Sequence, residues 1–475
     1  MRKTIFKQFA IFAILILTVI PASVFAQSVN CGDNLTSNTT LTADLDCSTS
    51  GTALTIGQNG ITLDGAGFTI TVNGNNTAIV VNGRSNITIT NATVESSVPG
   101  QGKGLNIINS GNSTITNNNF SGLTHAITGG GNPNTVFSGN NLSGASSHAI
   151  YFTQHASNSG MVIDNNNIQN CAATAIGFYG GYNTPASIDG NDLTGSAHGM
   201  YLQSIHSSPL TLSPPGSSGP NSNTFANHTE SVITLSGSRY ITIDGWDFTT
   251  LFDSSVDRST KTGLNILNSS NCTISNNNLS GFNHAIKGGG NPNTSFTGNN
   301  LSNSSSHAIY FTQHASNAGM VIDNNNIQNC AATAIGFYGG YNTPASINGN
   351  NLTGSAHGMY LHSIHQSPFT LSPPGSSGPN SNTFANHTES VITLSGSRYI
   401  TIDGWDFTTL FDSSVDRSTK VGLNIYNSSN CTISNNNLSG FSHAIKGGGN
   451  PNTSFTGNNL SGASSHVDFP NFAGQ

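Results

Sequence analysis

Charge is the scarcest property of this chain. Lys and Arg number 13 and Asp and Glu 20 in 475 residues, so charged side chains make up 7%, against about 25% in an ordinary domain. With so few cations and a net charge of −7, no nucleic-acid partner is expected, because such binding needs clustered Lys and Arg to displace counterions. Long apolar runs are also missing. After residue 26 nothing approaches the ~20 residues needed to cross a bilayer, so no membrane span is expected. Helical periodicity is absent too: no window of about 12 residues past the N-terminus repeats its apolar positions every three to four residues. That excludes a helical architecture. Asn, Ser, Thr and Gly fill the space, and an amide- and hydroxyl-rich surface suits neutral polar partners such as sugars, or is simply what many tight turns require.

The apolar stretch that does exist lies at the start. Arg2, Lys3 and Lys7 precede an apolar run over residues 9–20, and Val24-Phe25-Ala26 offers a small-residue cleavage site before Gln27. Residues 1–26 therefore read as a signal peptide, and the mature protein is expected to be secreted, extracellular or at the cell surface. Cysteine is sparse, 6 in all. Cys31 and Cys47 precede the regular part of the chain, and in an oxidising compartment a disulfide between them would staple an N-terminal cap over residues 27–60. Cys171 and Cys330, and likewise Cys272 and Cys431, are equivalent positions without close partners in sequence, expected as buried small side chains.

The rest of the chain repeats itself. Gly104-Leu105-Asn106-Ile107 returns 159 residues later as Gly263-Leu264-Asn265-Ile266, and after the same interval as Gly422-Leu423-Asn424-Ile425. Residues 104–262 and 263–421 are near-identical copies, 422–466 a partial third, and 467–475 an irregular tail. Each copy contains smaller units built on an Asn-rich turn and an apolar anchor, as in Thr116-Asn117-Asn118-Asn119-Phe120 and Asp164-Asn165-Asn166-Asn167-Ile168. Such short units cannot bury a face alone and must stack. Around the anchors the sequence alternates apolar and polar, as in Ile241-Thr242-Ile243-Asp244 and His198-Gly199-Met200-Tyr201-Leu202. Period-two alternation between Gly, Asn and Ser clusters predicts half-buried strands.

Two residues before each anchor stands Asn118, Asn140, Asn166, Asn191 and Asn223, then Trp246, and the series recurs from Asn277. Asn tolerates left-handed backbone geometry and bonds neighbouring backbone groups. Stacked in register, the amides can donate and accept along a column. This resembles the asparagine ladder of right-handed parallel β-helices, the pectate-lyase-like superfamily, over residues 50–466. The resemblance implies an all-β right-handed parallel β-helix over residues 61–466, about sixteen coils and roughly 75 Å long at strand spacing. That fold hosts many activities, so function has to come from a site.

Enzymes of the superfamily carry motifs that can be sought. Polygalacturonase-like members have Asn-Thr-Asp, Asp-Asp, Gly-His-Gly and Arg-x-Lys segments. Ala197-His198-Gly199 approaches the third, Arg258-Ser259-Thr260-Lys261 loosely suggests the last, and the first two are absent. The Asp-rich calcium site of pectate-lyase-like members and the Asp-Pro-His-Asp of alginate-epimerase-like members are not readable either. No catalytic residue carries over, which leans away from an enzyme. No cofactor is expected, and calcium is the one ion the resemblance leaves open.

The residues themselves offer three candidates. Insertions in solenoids form loops on a binding face, and one of them, residues 249–261, holds Asp253, Asp257 and Arg258. These could grip or cut a sugar together with His198, or form a solvated loop. His125 and His148 share a position on adjacent units, and His198 returns to it after a unit that carries Thr174 there, as turn residues or as ligands; no third metal ligand matches their spacing. Tyr151, Tyr179, Tyr182 and Tyr201, with His148 and Gln154, form an aromatic strip, duplicated as Tyr310, Tyr338, Tyr341 and Tyr360 with His307 and Gln313. Alternation points Tyr151 and Tyr201 outward, two coils apart, as a platform on which sugar rings stack. A fourth pair, Asp189 and Asp192, has Asn348 and Asn351 as its counterparts, which reads as turn chemistry. The expected function is binding of a polysaccharide or surface glycan through one face. The alternatives are a polysaccharide lyase or glycoside hydrolase, and a structural or adhesive spacer. Self-association through an uncapped C-terminal edge completes the list of expected partners.

Overall fold

The computed structural model describes residues 28–468 except 154, 155, 181, 182, 184, 313, 314, 340, 341 and 366. The chain winds into a parallel β-solenoid with three faces. The longest sheet holds eighteen strands, from Asp33–Leu35 to Ser465–Asp468. Each strand pairs in parallel with the strand of the next coil, as in Lys103–Ile108 with His125–Gly130. The second face is seven strands from Thr39–Thr40 to Ser187–Asp189, then six, then four. The third starts as three strands and continues as single-residue bridges, such as Asn119 with Asn141 and Asn141 with Asn167. Among the described residues no helix is long and apolar enough to cross a membrane.

Burial follows the alternation. In Lys103–Ile108 the side chains of Leu105 and Ile107 are buried while Lys103, Asn106 and Ile108 are not. Equivalent residues stack coil on coil, and the rings of Phe152 and Phe178 lie 5.5 Å apart inside. The turns are governed by asparagine. Asn117 and Asn165 take φ 57°, with Gly139 at 66° and Gly190 at 65° in the same role. This left-handed step, tolerated by Asn and Gly, directs the next Asn inward. There the Asn118 backbone N–H and Nδ2 both donate to Asn140 Oδ1 at 3.0 Å. Asn140 does the same to Asn166, Asn166 to Asn191, and Asn191 to Asn223. Trp246 interrupts the column: its N–H donates to Asn277 Oδ1 at 2.9 Å, while its indole turns away to the Leu212 carbonyl at 3.0 Å.

The second face breaks where the proline-bearing insertion, residues 203–216, enters. Asn221 patches the gap. It accepts from the Ile188 N–H at 2.8 Å and donates to the Thr211 carbonyl at 2.7 Å, and Asn380 repeats the patch with Ile347 and Thr370. One boundary differs from the expectation. The segment assigned to a cap, residues 27–60, already supplies the first two strands of the long sheet, Asp33–Leu35 and Leu54–Ile56. Leu35, Leu54 and Ile56 are buried like later anchors, so stacking starts before Ile61. Cys31 and Cys47 are disulfide-bonded beside these strands, and the other four cysteines are buried thiols.

Candidate functional site

The outer face of the long sheet carries the site. Pairing brings Tyr151 opposite Gly177 and Gly177 opposite Tyr201, so the two tyrosines are two coils apart, as alternation requires. The space between them is filled. Tyr179, just past the strand Thr174–Phe178, folds back over Gly177, and its ring lies 5.1 Å from Tyr151 and 4.5 Å from Tyr201, stacked on the latter. The glycine makes this possible, since a Cβ on Gly177 would clash with Tyr179 Cε2. Three rings thus form a continuous ladder. The second copy repeats it: Tyr310 to Tyr338 is 5.1 Å and Tyr338 to Tyr360 is 4.5 Å, over Gly336.

A parallel row of polar groups runs beside the rings. His125 stacks on Tyr151 at 5.1 Å and lies 5.5 Å from His148. His148 Nε2 meets the Tyr179 hydroxyl at 3.0 Å, and the same hydroxyl lies 2.9 Å from Thr174 Oγ1. Thr174 pairs with His198 and His198 with Ser231, the last two also sharing a hydrogen bond of 2.8 Å between Nδ1 and Oγ. Burial pushes His148, His284 and His307 down to about 4, and lowers His125, His198 and His357 below the usual imidazole range. The row is therefore uncharged at neutral pH. It presents aromatic faces and hydrogen-bonding edges without cationic imidazolium.

The ladder ends in a groove of about 580 Å³, lined by Tyr179, Tyr201, His198, Glu230, Lys261 and Lys287 among others. The second copy forms one of about 490 Å³ with Tyr338, Tyr360, His357, Glu389 and Lys420. Lys261 donates to Glu230 at 2.8 Å and Lys420 to Glu389 at 2.9 Å. All five lysines among the described residues lie on this face or its rim, Lys103 and Lys446 being the others.

Of the candidate catalytic residues, only His198 lines a groove. The Asp253 carboxylate accepts from the Ser255 hydroxyl and N–H, and Asp257 caps the short turn Arg258–Thr260 through the Ser259 N–H. These bonds hold both carboxylates below the usual range. Arg258 lies over the Phe282 ring, 5.5 Å from its centroid, and donates to the Ser280 carbonyl. The charged loop is thus stitched to itself and the coil beneath, and contributes only its last residues, Thr260 and Lys261, to the groove. Asp189 accepts from the Ser222 N–H and Asp192 from Thr194; Asn348 and Asn351 make the same bonds to Ser381 and Thr353. Asp and Asn are interchangeable there because only an acceptor is needed. Gln154, Tyr182, Gln313 and Tyr341 lie outside the described residues. Among the described residues no three His, Cys, Asp or Glu side chains form a metal-binding group.

Sequence reading missed Glu230, Glu389 and Lys287. Glu230 stands just before the strand Ser231–Ser236, outside its alternation, and Lys287 shows itself only as the residue replacing Thr128 of the first copy.

The family model described as the right handed beta helix region matches residues 53–208 and 217–371, and the chain belongs to that family. No curated protein sequence matches it. Similar solved structures include the catalytic domain of GH87 alpha-1,3-glucanase in complex with nigerose, at 17% identity and a TM-score of 0.31, covering 78% of this chain and 58% of that one. DFA-IIIase from Arthrobacter chlorophenolicus A6 is 13% identical with a TM-score of 0.25, covering 54% and 59%. A tailspike protein of E. coli bacteriophage HK620 in complex with a pentasaccharide is 11% identical with a TM-score of 0.28, covering 89% and 71%. The chain thus spans 58% of the glucanase domain's length.

Proposed function

We propose that this is a secreted β-helix protein that binds polysaccharide or surface glycan on the outer face of its long sheet, once in each 159-residue copy. The observation that carries the reading is the unbroken ladder of Tyr151, Tyr179 and Tyr201, reproduced ring for ring in Tyr310, Tyr338 and Tyr360. Half-buried phenols offer flat apolar faces for sugar rings. Neutral imidazoles, threonine hydroxyls and the lysine–glutamate pair at the groove rim supply donors and acceptors for sugar hydroxyls. Hydrolysis by the usual pair of carboxylates needs two of them roughly 5–9.5 Å apart. The first groove's lining holds one, Glu230, and it is tied to Lys261. That favours binding over cleavage.

The test is a broad glycan and polysaccharide array probed with the purified protein and with a Tyr201→Ala/Tyr360→Ala double variant. The expected result is retention of one glycan class, weakened on the order of 10-fold or more by losing the stacked rings. Tyr240→Ala/Tyr399→Ala, which removes exposed tyrosines outside the grooves, should bind as the parent does. Silence across the array, or binding indifferent to Tyr201 and Tyr360, sinks the reading.

A further inference from the structure

The two grooves lie on one face and in one register. From Tyr201 the outward row passes through Thr234, Asn265 and Lys287 to Tyr310, each directly paired with the next. Counting the pairing steps from Tyr151 to Tyr310, the ladders repeat every six coils, or about 29 Å at the strand spacing of ~4.8 Å. Because the repeat closes on a whole number of coils, the second groove is not rotated away onto another face.

The floor between the ladders is polar and low. Thr234 and Asn265 are half-buried, Lys287 is exposed and makes no ion pair among the described residues, and all three also line the first groove. The raised wall is lateral. Thr260 and Lys261 precede the strand Thr262–Leu267, so they border the edge at which strands enter the sheet and leave the axial direction open.

We propose that the two grooves are subsites of one extended site, and that a single linear glycan strand lying along the solenoid axis occupies both at once. This rests on the glycan reading above. Its consequence is quantitative. Once one ladder is filled, the second contact is intramolecular, and a strand long enough to reach gains avidity without any new kind of contact; a strand too short gains nothing.

The experiment uses calorimetry on the full secreted chain. The probes are β-1,4-glucan, dextran and polygalacturonate, each as short fragments and as fractions longer than about 29 Å when extended. For the class that binds, short fragments should load two per protein with equal affinity. Long strands should load one per protein, roughly 10²-fold tighter. A Tyr360→Ala variant, which removes a stacked ring of the second ladder, should load one short fragment per protein and lose the gain for long strands. Long strands loading two per protein at the affinity of short fragments overturn this proposal and leave the glycan reading standing. A Tyr360→Ala variant that loads one short fragment yet retains the whole gain overturns it as well. Failure of every probe at both lengths overturns it together with that reading.

Discussion

At the scale of single residues, two small side chains do most to define this molecule. Inside, the ladder asparagines satisfy backbone groups that the turns leave unpaired. Asn166 accepts from Asn140 through both N–H and Nδ2, and donates to the Phe137 carbonyl and to Asn191. Replacing it with Ala strands these partners in a buried site, at a cost of about 3 kcal/mol. Asn167, one residue on and exposed, makes one lateral bond to Asn141, and Asn167→Ala should cost under about 0.5 kcal/mol. Amide hydrogen exchange of the flanking coils distinguishes the two, with protection falling only for Asn166→Ala; equal effects would deny the ladder its role. Outside, Gly177 makes room for Tyr179. Gly177→Ala puts a methyl group where the ring sits, while its backbone conformation suits any residue. The variant should fold normally and lose stacking at the first groove, so that short glycan fragments load one per protein. Unchanged loading would show that Tyr179 takes no part.

At the scale of the coil, the histidine row links packing to pH. Five imidazoles are held at about 4 by burial: His148, His284 and His307 on the outer face, and His228 and His387 inside the fold. In the unfolded chain they titrate near 6.5. Between those values the unfolded state binds more protons than the folded one, so stability is fully present above pH 6.5 and falls as the pH drops toward 4. The unfolding temperature should be flat above pH 6.5 and decline steadily below it; a flat profile down to pH 4 would contradict the burial assigned to these rings. The coil itself was readable from sequence, because alternation and the anchor spacing are local. The tyrosine platform was only half readable. Alternation placed Tyr151 and Tyr201 outward, but nothing in a period-two pattern announces that Tyr179, beyond the end of its strand, folds back between them.

At the scale of the whole molecule, each coil packs mainly on its neighbours, so stability is close to a sum of local terms. The disulfide Cys31–Cys47 closes a loop of sequence separation 16, worth about 3 kcal/mol. Its reduction should loosen the first coils and leave the distant second groove intact. Hydrogen exchange under reducing conditions should show the lost protection confined to the start of the solenoid, with glycan binding at Tyr338 and Tyr360 unaffected. Loss spreading along the whole rod would mean that the coils are more cooperative than nearest-neighbour stacking allows.

The sequence by itself determined the solenoid, because its signals are written in nearly every coil: an inward asparagine, a left-handed step before it, an apolar anchor after it, and a long repeat that copies them all. Tertiary structure decided which polar residues meet. Glu230 and Lys261 are 31 positions apart, and the loop that seemed to gather charge turns most of it on itself through serine hydroxyls and N–H groups. Winding fixes what becomes adjacent across coils, and that adjacency depends on the length of every intervening turn, which no local pattern records.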